Sequence, residues 1–239
     1  MLLKGLQKLT LLDYPDRLAC TVFVGGCNFR CPFCHNASLV LPEKFGDTIS
    51  TEDFFAFLDS RVGRLDGVCV SGGEPTLMPD LAEFIREIKR RGFLVKLDTN
   101  GAKPDVLRSL IDEGIVDYVA MDIKNSIGRY AETAGLSNKP LTSGEVAQKA
   151  TERVKESAAL LMKGRVDYEF RTTLMRELHS EDDIHAIGKW LRGDSKYYLQ
   201  SYRDEGDLLV GGFSAPSDDE IKKYLEIVKK YLPNACIRG

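Results

Sequence analysis

Surplus positive charge, long apolar runs and simple-sequence linkers are all scarce in this chain of 239 residues. Lysine and arginine number 33 against 36 aspartates and glutamates, a formal charge of -3. Neutralising nucleic-acid phosphates needs a cationic excess, so a general nucleic-acid binder is excluded. The one basic run, Lys89-Arg90-Arg91, falls where a helix should end, and cations there complement the helix dipole. No apolar stretch reaches the roughly 18 residues a membrane span requires, so no membrane partner is expected. The first residues, MLLKGLQKLTLLDYP, are interrupted by Lys4, Lys8 and Asp13 and lack a secretory cleavage pattern, which predicts a cytoplasmic protein. With no repeat and no Gly/Ser linker, the expectation is a single domain over residues 1–239.

What the chain does have is alternation. Six apolar, β-branched segments are each followed by an amphipathic helical pattern. The strand segments are LACTVFVGG, DGVCVSGG, FLVKLDTNG, VDYVAMDIK, RVDYEFRTTL and KYYLQSY. Among the helices, STEDFFAFLDSR opens with a Ser50 cap, and PDLAEFIREIKRR begins at Pro79 with Leu81, Phe84, Ile85 and Ile88 on one face. A long helix carries Val146, Ala150, Val154, Ala158 and Leu161 at helical spacing, and two more run from about Glu181 to Leu191 and from about Asp218 to Tyr231. Parallel strands need crossover helices, so the pattern predicts an α/β fold. Six units are too few for a closed eight-stranded barrel and fit an open, partial (β/α)6 TIM-like barrel. The stretch from Asn125 to Thr142 is a long connection with no assigned structure.

Ligands of parallel α/β folds bind at the carboxyl ends of the strands. Those ends carry, in order, a cysteine loop, SGGEPT, DTNG, MDIK, Arg171 and Gln200. The loop GGCNFRCPFCHN holds three of the six cysteines, Cys27, Cys31 and Cys34. Clustering this local, in a chain this long, points to metal or redox chemistry rather than a disulfide framework. Three thiolates leave a tetrahedral zinc site one ligand short, and His35 is awkwardly placed beside Cys34. An iron–sulfur cluster with one open iron is favoured, with a zinc-binding module or a simple iron–sulfur electron carrier as alternatives. Gly72 and Gly73 would let the backbone approach a ligand, and Glu74 would attract an ammonium. Cys20 and Cys69 read as small core hydrophobes, Cys236 lies near the terminus, and His179 and His185 are expected as surface or capping groups.

The C-x3-C-x2-C spacing, with Phe33 before the last cysteine, resembles the signature of the radical S-adenosylmethionine enzymes. SGGEPT is similar to that family's Gly-Gly-Glu motif. Together with LLDYPDRLACTVFVGGCNFRCPFCHN, LDTNG, AMDIK and YEFRTTL, the pattern resembles the activases of glycyl radical enzymes over roughly residues 5 to 205. The resemblance implies a [4Fe-4S] cluster on Cys27, Cys31 and Cys34, and S-adenosylmethionine beside Phe33, Gly72, Gly73, Glu74, Lys124 and Arg171. It implies a monovalent cation on Asp98, Thr99 and Asp122. The implied partners are a glycyl radical enzyme, with anaerobic ribonucleotide reductase the expected one, and an electron donor such as flavodoxin or ferredoxin. A pyruvate formate-lyase-type target or a small-molecule substrate are the alternatives. Gln200 departs from the pattern, standing where the formate-lyase activases have a histidine, and the cysteine-rich ferredoxin-like insertion of some activases is absent.

Overall fold

The computed structural model describes residues 1–136, 144–204 and 206–238. Its centre is one open eight-stranded sheet in sequential order, β1 to β8. The six expected strands are β2 (Ala19–Val24), β3 (Gly67–Gly72), β4 (Leu94–Thr99), β5 (Tyr118–Asp122), β6 (Asp167–Leu174) and β7 (Lys196–Ser201). All six run parallel, and their carboxyl ends meet at one mouth. The architecture is an open, partial TIM-like barrel.

Two strands enlarge the expected set. β1 (Leu3–Thr10) pairs antiparallel with β2, and β8 (Ala235–Arg238) pairs parallel with β7. β1 is a half-exposed edge strand whose Lys4, Gln7 and Lys8 broke the apolar pattern, and β8 has only four residues. The helices are α1 (Ala37–Val40), α2 (Thr51–Asp59), α3 (Leu81–Arg90), α4 (Pro104–Glu113), α5 (Tyr130–Thr133), α6 (Gly144–Leu161), α7 (Glu181–Trp190) and α8 (Asp218–Lys229). Among the described residues no helix is long and apolar enough to cross a membrane.

The helices form because their caps and faces agree. The Ser50 hydroxyl accepts from Asp53 N at 3.0 Å and starts α2, while Ser180 and Ser217 make capping boxes at α7 and α8. α3 starts two residues after Pro79 and buries Leu81, Phe84, Ile85 and Ile88 against the sheet. Each such side chain contributes about 1.5–3 kcal/mol by leaving water. On α6, Val154, Ala158 and Leu161 are buried as expected, but Val146 is exposed and Ala147 turns inward instead. Between Asn125 and Thr142 the chain makes a 3-10 turn (Ile127–Arg129) and then α5; residues 137–143 lie outside the described residues.

The apolar layer sits between helices and sheet, with Val68, Val70, Val95, Leu97, Val119 and Phe170 fully buried. Side chains alternate along a strand, so their neighbours Cys69, Ser71, Lys96, Asp98, Asp122, Glu169 and Arg171 face the barrel interior. The interior is therefore polar towards the mouth.

Candidate functional site

The cysteine loop leaves β2 and is fastened by two remote segments. On one side Arg30 N donates to Ala134 O at 3.1 Å, just beyond α5. Gly135 follows at φ +65, and a Cβ there would stand 1.8 Å from Arg30 O, so only glycine allows that approach. On the other side, the chain after β7 returns over the loop. Leu209 N and Val210 N donate to Cys34 O and Pro32 O, each at 3.0 Å. Asp207 accepts from Ser38 N at 2.8 Å and Ser38 Oγ at 2.6 Å.

Burial pushes the Cys27 thiol up to about 11 and that of Cys31 up to about 12, and raises Cys34 by the same cause. All three stand as neutral thiols at neutral pH. Cys27 Sγ accepts from Phe29 N at 3.4 Å and from Asn100 Nδ2 at 3.8 Å, and Asn100 Nδ2 also donates to Asn28 Oδ1 at 2.9 Å.

The SGGEPT turn locks β3 against this loop. A Cβ on Gly72, whose φ is +114, would lie 2.4 Å from Val24 N, and one on Gly73 would lie 2.1 Å from Gly26 O. Gly73 N donates to Val24 O and Glu74 N to Gly26 O, each at 2.9 Å. Glu74 does not line the cavity as expected. It is fully buried, and its carboxylate accepts from Thr76 N at 3.0 Å, Thr99 Oγ1 at 2.8 Å and Asn100 N at 2.6 Å. Burial raises its pKa, which these donors only partly offset. The residue braces the ends of β3 and β4.

Beyond the glycines runs a chain of paired charges. Lys96 contacts Asp98 Oδ1, and Ser71 Oγ donates to Asp98 Oδ2 at 2.9 Å. Arg171 Nη1 stands 3.5 Å from Asp98 Oδ2, while its Nε and Nη2 reach Asp122 Oδ1 at 3.0 and 2.9 Å. Lys124 Nζ donates to Asp122 Oδ2 at 3.0 Å. Burial alone would raise both carboxylates. The guanidinium of Arg171, with Lys96 at Asp98 and Lys124 at Asp122, holds them below the usual range instead. Lys124 is raised for the reciprocal reason, Asp122 outweighing its burial.

These elements enclose one cavity of about 540 Å³. It is lined by Cys27, Cys31, Phe33, Cys34, Gly72, Gly73, Asp98, Thr99, Asp122, Lys124, Arg171 and Gln200. Of the residues singled out from the sequence, only Glu74 is not in its wall. Ser71, Asn100, Arg203 and Arg238 line it too and were not anticipated; Asn100 lay inside the DTNG segment already in view.

The sequence model of the radical SAM superfamily matches residues 21–127, which carry the cysteine loop, the glycine turn and β3 to β5. Two Methanocaldococcus jannaschii proteins, each named "Putative glycyl-radical enzyme activating enzyme", align along nearly the whole chain. One is 33% identical over 99% of this chain and 95% of its own; the other is 30% identical over 95% and 79%. The chain belongs to the radical SAM superfamily. Streptococcus suis SuiB bound to precursor peptide SuiA shares the fold at TM-score 0.68 and 14% identity, covering 92% of this chain. The present chain spans 48% of that structure's length.

Radical SAM enzymes use a [4Fe-4S] cluster and S-adenosylmethionine, and the residues here fit both. Cys27, Cys31 and Cys34 line one cavity, and a cluster that takes one thiolate on each of three irons would keep its fourth iron open there. An electron carrier or zinc module would account for the cysteines, but not for the paired charges that line the same cavity. His179 also departs from expectation. It is buried at 3% exposure, with Nε2 2.9 Å from Lys124 O and Nδ1 3.2 Å from Met175 N. Burial lowers its pKa. It anchors the loop that carries Lys124.

Proposed function

We propose that this radical SAM enzyme installs a glycyl radical on a partner enzyme, an anaerobic ribonucleotide reductase. The observation that carries the reading is the near full-length match to relatives named as glycyl-radical enzyme activating enzymes. The open sheet supports it, because β1 and β8 leave the barrel unclosed and a glycine-bearing loop has a way to the cavity. Cys27, Cys31 and Cys34 would hold the cluster, which when bound would supply the single electron for reductive cleavage of S-adenosylmethionine and so the chemistry that takes a hydrogen atom from a glycine Cα.

The chain's own residues hold and orient. Cys27, Cys31 and Cys34 take the cluster; Cys31 is buried, while Cys27 and Cys34 are half-buried at the cavity. The Gly72–Gly73 backbone would admit the methionyl part of the cofactor, and Lys124 and Arg171, which line the same cavity, would hold its carboxylate. Asp98 and Asp122 hold those cations in place rather than acting as bases. Phe33, Thr99 and Gln200 complete the wall on the cofactor side, and Glu74 sets the glycine turn from behind. The whole chain acts as one domain, in the cytoplasm, with a flavodoxin or ferredoxin as electron donor.

The test is anaerobic. The reconstituted, reduced protein is mixed with S-adenosylmethionine and a candidate reductase, and the reductase is read by electron paramagnetic resonance. A glycyl radical doublet, absent without S-adenosylmethionine, is expected. Release of 5′-deoxyadenosine with no radical on any glycyl radical enzyme, formate-lyase type included, would move the substrate to a small molecule.

A further inference from the structure

The expected monovalent cation on Asp98, Thr99 and Asp122 does not fit these residues as they stand. The Thr99 hydroxyl donates to Glu74 Oε1 at 2.8 Å and accepts from Gly101 N at 3.1 Å. Both oxygens of Asp98 are taken, Oδ1 by Lys96 and Oδ2 by Ser71 and Arg171. Both oxygens of Asp122 are taken as well, by Arg171 and Lys124. Three cationic side chains already face two carboxylates, so a further positive ion would be repelled rather than held.

Lys96 is the unusual member of the set. It sits two residues before Asp98 on β4, so both side chains point into the barrel. Its side chain is 1% exposed, against 16% for Asp98 and 32% for Asp122. Its partners are Asp98 and, at 3.7 Å, Cys69 Sγ. An ammonium buried this deeply is tolerated only when paired. It lies beneath Asp98, below the cavity wall, where it neutralises the carboxylate without occupying ligand space.

We propose that the ammonium of Lys96 is the built-in cation of this site, and that cofactor binding therefore needs no alkali ion. The proposal rests on the cofactor reading above. It makes Lys96 a positioning residue: it fixes Asp98, whose Oδ2 accepts from Ser71 and faces Arg171 at the mouth. Removing the ammonium leaves Asp98 with the longer contact to Arg171 as its one charged partner and opens a buried gap at Oδ1, the setting in which potassium or ammonium would bind.

The test compares wild type, Lys96→Met and Lys96→Arg, each anaerobically reconstituted, in chlorides of potassium, ammonium and tetramethylammonium at equal ionic strength. S-adenosylmethionine affinity is read by equilibrium dialysis, and the melting midpoint is read on the same samples without it. Wild-type affinity is expected to stay within about twofold across the salts. Lys96→Met should bind roughly tenfold more weakly in tetramethylammonium, the loss of one charge-assisted contact, and recover in potassium or ammonium. Its melting midpoint should rise in those two salts, while that of wild type stays put; Lys96→Arg should remain salt-independent. A wild-type affinity or melting midpoint that climbs with potassium overturns the proposal, and so does a Lys96→Met protein indifferent to all three salts. If Lys96→Met does not fold, the wild-type salt comparison and Lys96→Arg still decide. Wild type that binds no S-adenosylmethionine in any salt counts against the cofactor reading instead, and the melting curves continue to judge Lys96.

Discussion

The two walls of the cavity are prepared in opposite ways. On the cysteine side, Cys31 is buried and Cys27 and Cys34 are half-buried; desolvation raises all three thiols, and segments from beyond α5 and beyond β7 fasten the loop. On the other wall, Asp98, Arg171, Asp122 and Lys124, with Lys96 beneath them, are mutually paired. The first wall waits for a metal to displace its protons. The second needs nothing added and offers a preformed, rigid charge pattern. On the proposed reading, such a site would take its cluster in a step coupled to proton release and its organic cofactor on a surface already set.

The largest effect comes from breaking the cysteine wall. Cys31→Ala is expected to abolish cluster assembly and S-adenosylmethionine cleavage together, measured by iron content and 5′-deoxyadenosine release. Lys96→Met, beneath the other wall, should leave iron content at the wild-type level, which separates the two sides in one assay. A loss of iron in both variants would mean the walls are not independent.

A smaller effect sharpens the contrast through pH. The folded thiols of Cys27 and Cys31 titrate at about 11 and about 12, above the roughly 8.5 of an unfolded cysteine. Between those values the folded, cluster-free chain binds more protons than the unfolded chain. Its stability is therefore full below about pH 8.5 and falls as pH rises towards the folded values. The melting midpoint of the cluster-free protein should fall above about pH 8.5, and that of the cluster-loaded protein, whose thiolates are already ligated, should not follow it. Parallel alkaline curves would refute the assignment of these thiols.

Much of this was legible in the sequence, for physical reasons. Buried parallel strands are nearly continuous apolar runs, so β2 to β7 stood out, and function in such folds collects at strand ends, so the site residues followed. β1 was hidden because an edge strand tolerates Lys4 and Lys8, and β8 because four residues carry no period. Glu74 looked like a ligand group because sequence gives a carboxylate's presence but not its direction; in the fold it meets Thr76, Thr99 and Asn100. His179 looked like a surface or capping residue, yet the loop after β5 needed a buried partner for Lys124 O. The clamp from Asp207 to Ser38 spans 169 residues of chain, and no local pattern announces it.

The most direct test of the central claim is the electron paramagnetic resonance spectrum of the reduced, reconstituted protein before and after S-adenosylmethionine is added. Ligation at an open iron predicts a spectrum of one [4Fe-4S] cluster whose g values change on addition, with 5′-deoxyadenosine released on turnover. A cluster whose spectrum is unmoved by saturating S-adenosylmethionine, with no 5′-deoxyadenosine formed, would contradict it.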